Sequence, residues 1–330
     1  AATTALATPA IAENLSVVGS WSSLPLHNAY EAPFWTKTLP EASGGDITVE
    51  LTTHNQMSLG LGDIYPLLGQ GVYDVAMTVA DYAVADAPEL EGLDVPLLAL
   101  TAADARAMVD AARPMVADIY RDRFNSHVLA IAPYPPQVVF CNHEITNLAD
   151  LEGLKVRASG RMTAKLLEAL GAEGVNVSFA EVPGALQNGV VDCAITGALS
   201  GFLAKWHEPA KFVSALPINH GLIAHIANLE WWNSLDPKVQ EVVSTGLADL
   251  EDKMFALAAT ETADGLACNT GGNCSYGDPA NLTLVPVSDA DITLRKEAVA
   301  AAVLPAYKER CGQDCASGSG AGKNHHLRRL

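Results

Sequence analysis

One phrase, Gly-Val-x-Asp-x-Ala, occurs twice in this chain, once in each half. Gly71-Val72-Tyr73-Asp74-Val75-Ala76 follows Pro66-Leu67-Leu68-Gly69-Gln70, and Gly189-Val190-Val191-Asp192-Cys193-Ala194 follows Gly184-Ala185-Leu186-Gln187-Asn188. Each reads as the end of a helix, a glycine stop and a buried strand. Each strand runs out on a small polar residue, Thr78 or Thr196. A helix–strand unit repeated at so long an interval predicts two similar α/β lobes. Ligands of open α/β sheets sit beyond the carboxyl ends of strands. Two such edges facing each other make a cleft that can close on a solute.

Length and charge narrow the choice further. The 330 residues suffice for two domains of ordinary size. With 49% hydrophobic and 18% charged residues, the chain can bury a substantial core. No stretch of about 18 apolar residues is present to span a membrane. The formal net charge of −18 argues against nucleic acid or an anionic membrane surface as the main partner. It does not exclude an anionic small molecule, because one buried Arg makes a local positive field.

The segment Ala10-Ile11-Ala12 looks like the small-x-small end of a secretory signal, which predicts an exported chain with its signal removed. An Ala-rich disordered start is the alternative. Six cysteines fit export. The even count favours three disulfides, expected as Cys141–Cys193, Cys268–Cys274 and Cys311–Cys315, although other connectivities are open. Two free core thiols at Cys141 and Cys193 are the plainer reading. A zinc site is disfavoured because no Cys-x-x-Cys or paired His spacing appears.

Strands are expected over 16–21, 47–52, 71–79, 127–132, 137–141, 154–158, 175–179, 190–195, 222–228 and 282–286. Helices are expected over 102–120, from a Ser159 cap to Leu170, over 181–187, near 199–211 and over 288–310. Asp236-Pro237 opens the longest helix, an Asp N-cap with Pro in the first turn. Its apolar face runs to about Thr262, on the order of 40 Å, long enough to bridge two lobes. Residues 265–281 read as a Gly/Asn-rich loop.

In the second half, Asn147-Leu148-Ala149-Asp150-Leu151-Glu152-Gly153-Leu154-Lys155-Val156-Arg157 precedes Ala169-Leu170-Gly171-Ala172. Then come Phe179-Ala180-Glu181-Val182 and the second repeat phrase. In this order and spacing the set resembles the extracytoplasmic solute-binding subunits of TRAP (tripartite ATP-independent periplasmic) transporters, the DctP-like family. Trp232-Asn233-Ser234-Leu235-Asp236 before the long helix fits as well. The resemblance covers roughly residues 14–310 and is densest over 142–196.

The resemblance implies a two-lobe periplasmic-binding-protein-like α/β fold with a long lobe-spanning helix and a ligand cleft between the lobes. Lobe I is expected over 13–136 plus 226–255, and lobe II over 137–225 plus 256–316, with disordered tails at 1–12 and 317–330. It also implies that Arg157, matching the family's Leu-Lys-Val-Arg strand, pairs with a ligand carboxylate through two parallel charge-assisted hydrogen bonds. Pairing with an acid on the lobe surface is the plain alternative for Arg157. Many members carry a second Arg where this chain has Gln137, within Tyr134-Pro135-Pro136-Gln137. That departure disfavours dicarboxylates and sialic-acid-like ligands. It favours a monocarboxylate with an apolar or aromatic body, and the ligand expected overall is an organic monocarboxylate, aromatic or hydroxylated.

Further candidate ligand contacts are Thr196, Trp21, Ser22, Tyr82, Tyr134, Phe179 and His220. Thr196 and Tyr82 follow the two repeat strands, and Trp21 and Ser22 follow the first strand. For each, a place in the core, at a strand end or, for His220, on the exposed surface is the plainer reading. No Gly-x-Ser-x-Gly elbow, Walker loop or paired-His helix occurs, so the chain is read as no enzyme, without cofactor or metal. The expected protein is a periplasmic monomer that captures a small organic acid and hands it to TRAP membrane subunits. The alternatives are a periplasmic ligand sensor and, less favoured, a secreted hydrolase on a two-lobe scaffold.

Overall fold

The computed structural model describes residues 13–57 and 62–316, with side chains to residue 312. The expected tails at 1–12 and 317–330 lie outside the described residues. Two twisted sheets share one long strand. In the first, β2 (Ile47–Thr53), β1 (Glu13–Gly19) and β3 (Val75–Val79) run parallel in the order β2-β1-β3. Next come β9 (His220–Asn228), antiparallel to β3, and the first half of β4 (Ser126–Cys141). In the second sheet, β6 (Glu173–Val175), β5 (Lys155–Arg157) and β7 (Cys193–Gly197) run parallel. The second half of β4 lies antiparallel to β7, and β8 (Phe212–Ser214) and β10 (Thr283–Val285) extend the far side.

The repeated phrase builds the same joint in both lobes. Gly71 and Gly189 hold φ of +74° and +69°, a left-handed backbone that releases each helix at little cost to glycine. The strands then start later than expected, at Val75 and Cys193. The intervening turn aims each Asp at the neighbouring parallel strand. Asp74 accepts hydrogen bonds from Ser16 N and Oγ, both at 2.8 Å, and Asp192 accepts from Lys155 N at 2.9 Å. Their main chains add Asp74 N to Ser16 O and Asp192 N to Lys155 O. The repeated Asp is therefore a strand clip.

Strand β4 corrects the expected split into 127–132 and 137–141, because it is continuous through Pro133, Pro135 and Pro136. The prolines fall where β4 changes partners. Its ladder with β9 shifts register between Pro133 and Pro136, and its ladder with β7 begins at Gln137. A residue without an N–H is tolerated at such an interruption. The first-lobe core also claims Leu222, Ile223 and Ala224, which the expected division at 225/226 places in the second lobe. Conversely, Val95 packs into the second-lobe core.

The long helix spans Pro237–Asn269, with Asp236 capping the Lys238 N–H at 2.9 Å. Its 33 residues extend about 50 Å. It continues past Thr262 and through Gly265, shortening the expected 265–281 loop. Leu247, Leu250 and Met254 pack on the first lobe, while Leu266 and Cys268 pack on the second. Glu251 ties it to lobe I by accepting from Ile131 N at 2.8 Å and pairing with Arg106 and Arg113.

Other corrections are local. Helix Arg161–Ala169 is capped at Gly160 rather than Ser159. The expected strand 175–179 is β6, which starts two residues earlier and ends four residues earlier, and Phe179 opens a short turn of 3-10 helix. The helix expected over 199–211 ends at Leu203. Disulfides Cys141–Cys193 and Cys268–Cys274 are present. Cys311 is also disulfide-bonded, and the Cys315 side chain lies outside the described side chains.

Candidate ligand-binding site

Four chain segments reach the gap between the lobes from the carboxyl ends of β1, β3, β5 and β7. They enclose a cavity of about 60 Å³ lined by Trp21, Leu24, Val79, Asp81, Tyr82, Asp94, Tyr134, Gln137, Arg157, Ser159, Phe179, Thr196, Gly197, Ser200 and Gly221. A wider cleft continues outward past Tyr82 and Ser159 toward Arg161 and Asn176. Seven of the nine sequence candidates line the inner cavity.

Arg157, the last residue of β5, is 4% exposed. Its Nε donates to Val177 O at 3.0 Å and its Nη1 to Ile195 O at 2.7 Å. The guanidinium carbon lies 5.7 Å from the centroid of the buried Trp206 ring. Among the described residues, no carboxylate forms an ion pair with it, and Nη2 has no protein acceptor. Burial lowers its pKa, with Tyr82 and Asp94 opposing the shift. A guanidinium stays charged even so. Two carbonyls and an aromatic face thus hold in place a buried charge without a counter-ion, a costly arrangement in a dry site.

The polar surroundings are incompletely satisfied. Gln137 uses its backbone to bridge Asn219 O and Ile218 N, while its side-chain Oε1 is buried without a partner. Ser159 Oγ is likewise buried and unpartnered. Thr196 is buried opposite Val138 in the β4–β7 ladder. Asp94 is fully engaged, accepting from Met162 N at 2.9 Å, Thr163 N and Oγ1 at 3.0 Å, and Asn219 Nδ2 at 2.7 Å. It thereby caps the N-terminus of helix Arg161–Ala169. Burial raises its pKa to about 6 against the pull of these donors.

The apolar wall is aromatic and crosses the cleft. Trp21 from the first lobe meets Phe179 from the second edge-on at 5.6 Å between centroids, and lies 6.0 Å from Tyr134. Phe179 continues to Trp206 at 5.4 Å. Tyr82 has its pKa pushed up to about 12 by burial, with Arg157 pulling the other way. Trp21 is positioned by a fully buried carboxylate: Glu31 accepts from Ser20 N and Oγ, from His27 Nδ1 and from His225 Nε2, all within 2.6–2.9 Å. Burial alone would raise the Glu31 pKa, but the bonds from His225, His27 and Ser20 outweigh it and hold the carboxyl well below its usual range. The turn carrying Trp21 is pinned by that network.

Ser22 and His220 do not line the cavity. Ser22 is held at the rim by Asn55 and Asn28. His220 is buried rather than surface-exposed, and its Nδ1 donates to Tyr134 O at 2.7 Å, at the proline interruption of β4. Sequence reasoning missed Asp81, Asp94, Ser159 as a lining residue, and Trp206. Asp81 carried one visible signal, its place beside Tyr82 just beyond the first repeat strand.

Two α/β lobes, a spanning helix and a cleft at strand carboxyl ends define a two-lobe periplasmic-binding-protein-like fold. Residues 21–268 match the family model DctP, bacterial extracellular solute-binding protein, family 7, and the chain belongs to that family of TRAP-type solute receptors. Its members are solute receptors rather than enzymes. Among curated relatives, the C4-dicarboxylate-binding periplasmic protein DctP of Rhodobacter capsulatus is 29% identical over 39% of each chain. The uncharacterized protein YiiZ of Salmonella typhimurium is 26% identical over 58% of each. These alignments span less than two thirds of either relative. Among solved structures, a Bordetella pertussis extracytoplasmic solute receptor binding pyroglutamic acid aligns with a TM-score of 0.80 at 20% identity, covering 92% of this chain and 97% of that one. A TRAP periplasmic solute-binding protein from Desulfovibrio salexigens with bound orotic acid gives 0.84 at 18% identity, covering 96% and 99%.

Proposed function

We propose that this protein captures a small organic monocarboxylate in the periplasm, holds its carboxylate on Arg157, and passes it unchanged to the membrane subunits of a TRAP transporter. The observation carrying this reading is the Arg157 guanidinium, buried at the cleft with no ion-pair partner among the described residues. A carboxylate arriving there supplies the missing counter-charge and charge-assisted bonds in a medium that screens them weakly. Gln137, Thr196 and Ser159 offer polar contacts to the rest of the ligand. Trp21, Tyr82, Tyr134 and Phe179 supply aromatic walls.

One carboxylate, not two, suits this lining. Arg157 is the single cationic side chain among the residues around the inner cavity, and Gln137 stands where a second cation would help. The reading therefore departs from the dicarboxylate in the Rhodobacter relative's name. It agrees in charge with pyroglutamic and orotic acids in the similar structures. The favoured ligand has an aromatic or hydroxylated body, and binding proceeds by hinge closure with no covalent step. The protein acts as a monomer.

A thermal-shift screen of organic acids followed by calorimetry tests this. A monocarboxylate should raise the melting temperature, and Arg157→Ala should weaken its binding at least 100-fold. Unchanged affinity in the variant would remove Arg157 from the account.

A further inference from the structure

Asp81 lies two residues beyond β3 and lines both the inner cavity and the outer cleft. It is 7% exposed. Its carboxyl accepts no hydrogen bond from any other described residue and forms no ion pair among them. Asp94, its neighbour in the lining, differs completely, because four donors satisfy it. Both carboxyls converge on Gly160, where an added Cβ would stand 2.9 Å from Asp81 Oδ2 and 2.3 Å from Asp94 Oδ2. The backbone approaches so closely that a side chain at residue 160 could not shield Asp81 from the cavity. A largely buried carboxyl bonded by no residue but its own backbone leaves acceptor capacity facing the cavity, as Arg157 leaves donor capacity.

We infer that Asp81 is a specificity residue that accepts a hydrogen bond from an N–H of the ligand, so that the solute is a nitrogen-bearing monocarboxylate. Such a ligand, a zwitterionic amino acid or a ring amide acid, presents an acceptor pair to Arg157 and a donor to Asp81. Charge complementarity favours nitrogen. Against ionised Asp81 a second ligand carboxylate is a like charge and an ether or ester oxygen opposes two acceptors, whereas a ligand N–H favours the ionised form. Burial first, then the Asp94 and Glu91 charges, raise the Asp81 pKa. A donor from the ligand would relieve the cost of ionising it. The inference rests on the monocarboxylate reading of Arg157 and names the second contact of the same site.

Matched probes separate the two claims. Pyroglutamate is compared with butyrolactone carboxylate, a neutral ring N–H against ring oxygen, and proline with tetrahydrofuroate, a cationic ring NH2+ against ring oxygen. Calorimetry is run on wild type, Asp81→Asn and Arg157→Ala, with melting temperatures to confirm folding. The expected result is at least tenfold tighter wild-type binding of one N–H member over its oxygen analogue. That ratio should shrink at least fivefold in Asp81→Asn, while Arg157→Ala loses both members. Equal wild-type binding within each pair, or an unchanged ratio in Asp81→Asn, overturns the role of Asp81. Wild-type binding only of nitrogen-free acids such as benzoate or lactate, lost in Arg157→Ala, overturns it while leaving the anchor intact. No binding of any acid overturns the reading beneath it.

Discussion

At the scale of single residues, buried charges explain the site. Arg157 is fixed by two backbone carbonyls and has no ion-pair partner among the described residues, so on the proposed reading geometry and charge are prepared before a ligand arrives. Arg157→Lys keeps the charge but loses the planar fork, and should retain binding at least tenfold weaker than wild type in calorimetry. Glu31 acts at one remove, holding the turn that presents Trp21. Its folded pKa lies below its ordinary value of 4.5, so its stabilisation is fully present above that pH and fades as pH falls toward the folded pKa. Glu31→Gln should cost roughly 3 kcal/mol in urea unfolding at neutral pH, and the deficit should shrink below about pH 4. Arg157 was legible in sequence because its motif is specific. Asp81 and Trp206 were not, because burial without a partner and the packing of Trp206 beside Phe179 and Arg157 are properties of the folded chain alone.

At the scale of elements, the strands explain how the two lobes are joined. The repeated Gly-Val-x-Asp-x-Ala phrase was readable as helix stop and strand. Its Asp clips became visible only once the neighbouring parallel strands were in place. The continuity of β4 was hidden by three prolines that a strand interior would normally refuse, and which it tolerates at a change of partner. The extension of the long helix past Thr262 was hidden by Gly265. That glycine serves packing, since a Cβ there would stand 2.0 Å from Leu199 N. Gly265→Ala should gain about 1 kcal/mol of helix propensity and lose more to this backbone clash. A net loss of at least about 1 kcal/mol in denaturant unfolding is expected, and a stabilised variant would contradict the close packing. Glu261, in the same helix, has its pKa raised to about 7 by burial and then by Asp264. An acid raised in the folded state destabilises increasingly as pH rises from about 4.5 to 7. Glu261→Gln should therefore match wild type near pH 4.5 and exceed it by on the order of 2–3 kcal/mol near pH 8.

At the scale of the whole molecule, the two-lobe plan was legible from one duplicated phrase, while the exact crossover points were not. The sheets share β4 alone, which pairs with β9 in the first and with β7 in the second, so the boundary is a change of ladder partner rather than a linker. The aromatic contact between Trp21 and Phe179 joins the two lobes across the cleft. Solution X-ray scattering should show the radius of gyration falling to that of the closed form when a ligand is added. Constant scattering alongside measurable binding would rule out hinge closure as the response. The Cys141–Cys193 bridge closes a 52-residue separation within the second lobe. Replacing both cysteines by Ala should cost about 2–4 kcal/mol without altering ligand preference.

The most direct test is a crystal structure with the organic acid that gives the largest thermal shift. Its carboxylate should sit within about 3 Å of the Arg157 guanidinium, inside the cavity bounded by Trp21 and Phe179. A carboxylate bound elsewhere, with Arg157 still satisfied only by Val177 and Ile195, would contradict the account.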